Sequence, residues 1–176
     1  MTQESILSCP VCGDALLRTE KCYQCTNRHS FDISREGYVN LLLANQKASQ
    51  TPGDSREMLQ SRRRFLEAGY FHILSNTLNQ LIVQQLQQYF SLKRINILEA
   101  GCGEGYYLGE LYRFLDTTLS APSPVYWGLD IAKDAIQMAA KQYQRVNFFV
   151  ASTRRKIPII DDSIHLLLTI FAQRNA

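Results

Sequence analysis

No stretch of this chain is apolar for long enough to span a bilayer, so no membrane partner is expected. A basic-then-apolar leader is also missing, because Met1 to Ser8 carries Glu4 and no run of large apolar residues. A cytoplasmic location is therefore expected, where thiols stay reduced and cysteine pairs tend to hold metal. Charge of one sign is scarcely in excess. The net +3 permits an RNA partner but argues for one only where the cations cluster. Internal repeats and low-complexity tracts are absent. So is the third glycine of a dinucleotide fingerprint: the turn reads Gly101-x-Gly103-x-Gly105, and Tyr106 follows, which disfavours NAD. With 45% hydrophobic and 20% charged residues, the composition is that of a folded protein. Its 176 residues suit one domain, or a small module with a medium one.

Three segments follow one another. Residues 1–36 are rich in cysteine and turn formers, with too few large apolar residues for an independent core. Residues 37–92 read as a helical linker, with Asp54 or Ser55 capping a helix to about Ala68 near Gly69. A second helix there is expected to bury Leu74, Leu78, Leu81, Ile82, Leu86, Tyr89 and Phe90. Residues 93–176 alternate strand and helix. Strands are expected at 95–99, 125–130, 146–150 and 164–170, and helices at 105–115 and 134–143. That rhythm implies an α/β fold, a parallel sheet with crossover helices.

Within the first segment, Cys9-Pro10-Val11-Cys12 is a C-x-x-C knuckle, followed by Cys25 and His29. C-x2-C-x12-C-x3-H closes a tetrahedral site with three thiolates and one imidazole. Cys22 competes, since Cys22-x-x-Cys25 is a second knuckle and yields a four-thiolate site. With four protein ligands no position stays open, so the zinc is structural, a staple for a segment too small to fold alone.

Leu98-Glu99-Ala100-Gly101-Cys102-Gly103-Glu104-Gly105 reads as a strand turning through glycines into a helix. Glu99 suits a positively charged ligand end better than a pyrophosphate. S-adenosylmethionine carries an amino group and a sulfonium and has no phosphate, so it is the expected cofactor. Glu99, Gly101, Gly103 and Gly105 form the first turn. Asp130 ends the second strand, where it either accepts the ribose hydroxyls or caps the next helix. Ile131 is placed to pack on the adenine, and Ala151 and Ser152 follow the third strand. Cys102 reads as a small buried filler, because no base is placed beside it. Arg56, Arg62, Arg63 and Arg64, and the run Arg154-Arg155-Lys156, are either phosphate contacts or solvated faces. Tyr106 and Tyr107 either border a substrate pocket or belong to the core.

The zinc knuckles, the run Glu36-Gly37-Tyr38-Val39-Asn40-Leu41-Leu42, then Pro52-Gly53-Asp54, Met58, Arg62, Phe65-Leu66, Gly69-Tyr70 and the glycine turn through Tyr107 occur in one order. This resembles the RlmA (RrmA) family of 23S rRNA (guanine-N1)-methyltransferases, from Cys9 to about Ala172. The resemblance implies zinc at Cys9, Cys12, Cys25 and His29, with Cys22 spare. It implies an N-terminal zinc-binding module before a Rossmann-like class I domain, and methyl transfer from S-adenosylmethionine to N1 of a guanine in a 23S rRNA hairpin. It also implies a homodimer forming an RNA-binding cleft.

Two residues depart from the family pattern: Gln173 stands where a proline is usual after Phe171-Ala172, and His165 where an aspartate is usual. The 93–176 segment holds four of the seven strands that class builds, so an incomplete domain with impaired turnover is expected. The strand at 164–170 would form an exposed apolar edge. The alternative is a remnant that binds zinc, with or without RNA or the cofactor, and does not turn over. No residue presents itself as acceptor of the N1 proton.

Overall fold

The computed structural model describes residues 5–46, 53–118 and 124–172. Successive strand residues face opposite sides of a sheet, and here both sides are apolar. The strands concerned are β5 (Asn96–Ala100), β6 (Val125–Asp130) and β7 (Asn147–Val150). Two short strands flank them, β4 (Val39–Asn40) and β8 (Leu166–Leu168), giving a parallel five-stranded sheet in the order β4-β7-β6-β5-β8. One face, with Ile97, Tyr126, Phe148 and Val150, packs against α2 (His72–Leu86), α3 (Tyr106–Thr118) and α4 (Lys133–Gln142).

The other face carries Leu98, Trp127, Leu129 and Phe149, and no helix covers it among the described residues. The N-terminal module does so instead, with Leu7, Leu16, Tyr23 and Val39 in the same apolar cluster. This module is an antiparallel sheet of β1 (Leu17–Arg18), β2 (Cys22–Gln24) and β3 (Ser30–Asp32). Backbone bonds from Ser8 N–H to the Pro158 carbonyl (3.0 Å) and from Ile160 N–H to the Ile6 carbonyl (2.8 Å) join it to the chain after β7. A segment too small for a core of its own therefore shares one with the sheet.

Helix α1 (Arg56–Glu67) begins where the sequence indicates. The Ser55 hydroxyl accepts from Met58 N–H at 3.3 Å, satisfying a free donor of the first turn. Leu59 of α1 is buried against Ala132 and Ala135 of the turn into α4, which lays the helix across the carboxyl end of the sheet.

Three expectations change. The segment 37–92 is not wholly helical, because Val39–Asn40 pairs with Phe149–Val150 as an edge strand. Helix α2 buries Ser75, Asn79, Ile82 and Leu86, while Leu74 and Leu81 face solvent. Helical period says which residues share a face, but small Ser75 and Asn79 turn that arc inward against α3. The last strand is three residues long rather than seven. His165 precedes it, donating its N–H to the Asn96 carbonyl and accepting Asn96 N–H at Nδ1, both at 3.0 Å. Its apolar edge is exposed at Leu167, as expected.

Candidate functional site

Chain order along the sheet runs β5, β6, β7 in one direction and then returns to β8 on the far side of β5. The crevice at such a reversal, beyond the carboxyl ends of the strands, is where open α/β sheets bind ligands. A cavity of about 310 Å³ lies there. It is lined by Glu99, Gly101, Cys102, Gly103 and Glu104 of the turn after β5, by Tyr106 and Tyr107 of α3, and by Ile170 and Phe171 after β8. Arg62, Phe65, Leu66 and Phe71, from α1 and the turn after it, close the remaining side.

Glu99 is fully buried, and its Oε2 has no hydrogen-bond partner among the described residues. Burial, with the nearby Glu104 and Asp130 charges, pushes its carboxyl up to about 8. The Tyr107 hydroxyl is the second buried orphan, its phenol pushed up to about 12 by burial. Buried polar atoms without partners are uncommon, and two in one cavity point to a ligand with a cationic donor. A buried carboxylate in a cavity also lined by Phe65, Phe71, Tyr106, Tyr107 and Phe171 suits the ammonium and sulfonium of S-adenosylmethionine. Gly101 has φ +78, and a Cβ there would meet that of Ala172 at 2.5 Å, so the glycine lets the segment after β8 close against the turn.

The other residues expected around a cofactor are spread more widely. Asp130 spends one oxygen on Gly103 N–H (2.9 Å) and the other on Ala132 N–H (2.8 Å), tying the glycine turn to the start of α4. Burial raises its carboxyl while those bonds lower it. Gly105 packs against Ala139 and Phe148, and Ile131 against the helical core, away from the cavity. Ala151 and Ser152 line a different cavity of about 480 Å³, beside Cys9 of the N-terminal module and Arg155 and Lys156. Glu99, Gly101 and Gly103 thus meet in one place, and Ala151 and Ser152 in another.

In the cationic cluster of α1, Arg56 and Arg64 are exposed, while the guanidinium groups of half-exposed Arg62 and of Arg63 turn toward the fold. Arg62 pairs with Asp54 at 2.6 Å and stands 3.8 Å from Glu104. Arg63 donates to the carbonyls of Glu104 (3.4 Å) and Met138 (3.2 Å), and Arg64 to the Ser61 hydroxyl (3.2 Å). Arg62 and Arg63 are therefore engaged by groups of the fold rather than standing as free phosphate contacts. Cys102 is a buried filler, its thiol raised well above the usual range by burial. Phe65, Phe71, Phe171 and Glu104 were not singled out as site residues. Only Glu104, an acid within a glycine turn, carried a local signal; the phenylalanines arrive from distant segments.

In the N-terminal module, the ligand atoms of Cys9, Cys12, Cys25 and His29 all lie within 4.8 Å of one another. Cys12 Sγ to Cys25 Sγ is 3.7 Å, and His29 Nδ1 is 3.4 Å from Cys25 Sγ and 3.6 Å from Cys9 Sγ. Zinc bonds of about 2.3 Å to sulfur and 2.0–2.1 Å to nitrogen give tetrahedral edges of about 3.8 Å and 3.6 Å. These three separations match the edges of such a site. Hydrogen bonds from Asn27 and the Asp14 backbone hold the Cys12 thiol down to about 6, so it is largely thiolate at neutral pH. Burial raises Cys9, whose proton a metal would displace. Cys22 stands apart, 3.4 Å from the Thr19 hydroxyl.

Residues 7–50 match the family described as RlmA, N-terminal, a zinc ribbon. The N-terminal module is an RlmA-type zinc ribbon. Beyond this ribbon, similarity extends along nearly the whole chain. It is 32% identical, over 97% of its length and 58% of the relative, to YxjB of Bacillus subtilis, a protein provisionally named as a 23S rRNA (guanine-N1)-methyltransferase. A Micromonospora griseorubida protein with the same provisional name is 31% identical over 96% of this chain and 59% of the relative. The 23S rRNA (guanine(748)-N1)-methyltransferase of Streptomyces fradiae is 28% identical over 96% and 56%. The chain bearing this ribbon thus spans little more than half the length of these relatives. Among solved structures, the plantazolicin methyltransferase BpumL with SAH is 19% identical, at a TM-score of 0.39 over 61% of this chain and 41% of that one. No described helix is long and apolar enough to cross a membrane.

Proposed function

We propose that the chain is the zinc-bearing, cofactor-binding part of an S-adenosylmethionine-dependent methyltransferase acting on N1 of a guanine in a 23S rRNA hairpin. The observation that carries this reading is the orphaned Glu99 Oε2 in a cavity at the sheet's reversal point. The names of the three relatives supply the substrate. Glu99 would take the cofactor's ammonium, with Gly101 and Gly103 letting the backbone approach and Gly105 seating the helix behind them. Asp130, Ile131, Ala151 and Ser152 are the proposed nucleoside side, which then runs beyond this cavity along the ends of β6 and β7. Cys9, Cys12, Cys25 and His29 are the proposed zinc ligands.

The cofactor supplies a methyl group activated by its sulfonium. The chain's own contribution is positioning: an ion pair at Glu99 and an aromatic enclosure that limits water. The reading includes a cytoplasmic homodimer on RNA, and three segments, 1–36 binding zinc, 37–92 linking through β4, α1 and α2, and 93–176 binding cofactor.

Calorimetry with S-adenosylhomocysteine tests it, followed by mass spectrometry of 23S rRNA nucleosides after incubation with S-adenosylmethionine. Saturable binding that is lost in Glu99→Gln, with N1-methylguanosine formed, supports the reading. Binding without methylation would leave a cofactor-binding protein and overturn the transferase assignment for this chain. Absence of binding by folded, zinc-loaded protein would overturn both.

A further inference from the structure

Among the described residues lining the 310 Å³ cavity there is a single cationic side chain, Arg62. The carboxylates around it are Glu99 and Glu104 on the cavity wall, and Asp54, its partner at 2.6 Å. Its Nη1 stands 3.8 Å from Glu104 Oε2, beyond hydrogen-bond distance. The same nitrogen lies 3.2 Å from where a Cβ on Gly103 would be, so the guanidinium rests directly on the glycine turn. A guanidinium has five N–H donors, and Asp54 engages one edge. Side-chain exposure of 48% leaves Arg62 reachable from the cavity mouth.

Glu99, in the ionised form that a cationic ligand draws, and Arg62 line the same cavity and offer it opposite charges. An α-amino acid zwitterion, ammonium and carboxylate on one carbon, matches that pair. We propose that Arg62 is the carboxylate-binding residue for the amino-acid end of the cofactor, opposite Glu99, with Asp54 holding its guanidinium against the glycine turn. This rests on the cofactor reading above and adds a specific subsite to it. It also accounts for the inward turn of a side chain whose sequence context suggests an RNA contact. Arg is suited to the task because its planar fork grips a carboxylate with two parallel bonds.

The test compares two ligands by calorimetry: S-adenosylhomocysteine, and S-adenosyl-3-thiopropylamine, which lacks only the carboxylate. Wild type is expected to prefer the first by about tenfold or more, as suits one charge-assisted carboxylate contact. In Arg62→Gln that preference is expected to collapse, with affinity for the decarboxylated ligand changed less than about twofold. Asp54→Asn, which removes the structural ion pair but keeps the guanidinium, is expected to retain a preference. Equal loss for both ligands in Arg62→Gln, or an unchanged preference, would overturn the proposal while leaving the cofactor reading intact. A wild type that binds neither ligand would overturn the two together. Should Arg62→Gln fail to fold by circular dichroism, Arg62→Met, which keeps the alkyl stem without the charge, gives the same comparison: a collapsed preference supports a carboxylate contact, and an unchanged one overturns it.

Discussion

The zinc cluster and the cavity beside Glu99 differ in how far each is complete from within. In the cluster, the ligand atoms of Cys9, Cys12, Cys25 and His29 are already gathered within 4.8 Å of one another, near the corners of a tetrahedron. In the cavity, Glu99 Oε2 and the Tyr107 hydroxyl are buried without partners among the described residues. A structural site gathers its ligands so that one ion satisfies all of them and nothing else enters. A site for an exchanging ligand is recognised by what it leaves unsatisfied, because the missing bonds are those the ligand brings.

The largest effect that would sharpen this contrast comes from the metal. Zinc sites of this kind bind with about 10–16 kcal/mol, and the ribbon covers one face of the parallel sheet. Cys25→Ser is therefore expected to lower the melting temperature of the whole chain by more than about 10 °C in one calorimetric transition. Loss of a separate early transition, with the main one unmoved, would mean that the ribbon folds apart from the sheet. Cys22→Ser is expected to leave zinc stoichiometry unchanged.

Next in size is Glu99→Gln, which should weaken S-adenosylhomocysteine by about 10–100-fold, the range of a hydrogen bond to a charged group. Its pH dependence has a defined sign. The folded carboxyl stands at about 8 against an ordinary 4.5. The stability due to its neutral form is complete below 4.5 and lost as pH rises through 8. Without ligand, the Gln variant should melt higher than wild type at about pH 8, with the gap closing toward about pH 5. A cationic ligand draws the ionised form, so wild-type affinity should rise from about pH 6.5 to about pH 8.5 with proton release. A flat profile, from calorimetry in two buffers of different ionisation enthalpy, would remove Glu99 as the ammonium partner.

Gly128→Ala probes the framework between the two sites. Its Cβ would meet Phe148 at 2.6 Å and Cys102 Sγ at 3.1 Å, beneath the glycine turn. The expected cost is about 1–3 kcal/mol of stability by denaturant titration, with zinc content unchanged. Smallest is Arg64→Gln. Its only side-chain bond among the described residues is to Ser61, and the change should stay within about 0.5 kcal/mol.

Both sites were legible as local patterns. The C-x2-C spacing with Cys25 and His29 puts four ligands in one small loop-rich unit. The Gly101-x-Gly103-x-Gly105 turn after an apolar strand marks the end of β5. Strand β6 and the capped start of α1 follow from equally local rules of alternation and capping. Less was legible where two local readings are equally good. Asp130 suits a helix start or a ribose, and the fold commits both its oxygens to backbone N–H groups. Arg62 suits a phosphate or an interior partner, and the choice depends on where α1 comes to lie.

The sequence alone determined the metal-binding spacing, the strand–glycine–helix turn with its acid, and the order of strands and helices, because each depends on residues near one another in the chain. Only the tertiary structure decided that the ribbon serves as the second layer of the sheet. It also brought Phe65, Phe71 and Phe171 to one cavity and turned Ser75 and Asn79 of α2 inward. These outcomes depend on which apolar surfaces meet across long loops, and periodicity within a single element carries no information about its partner.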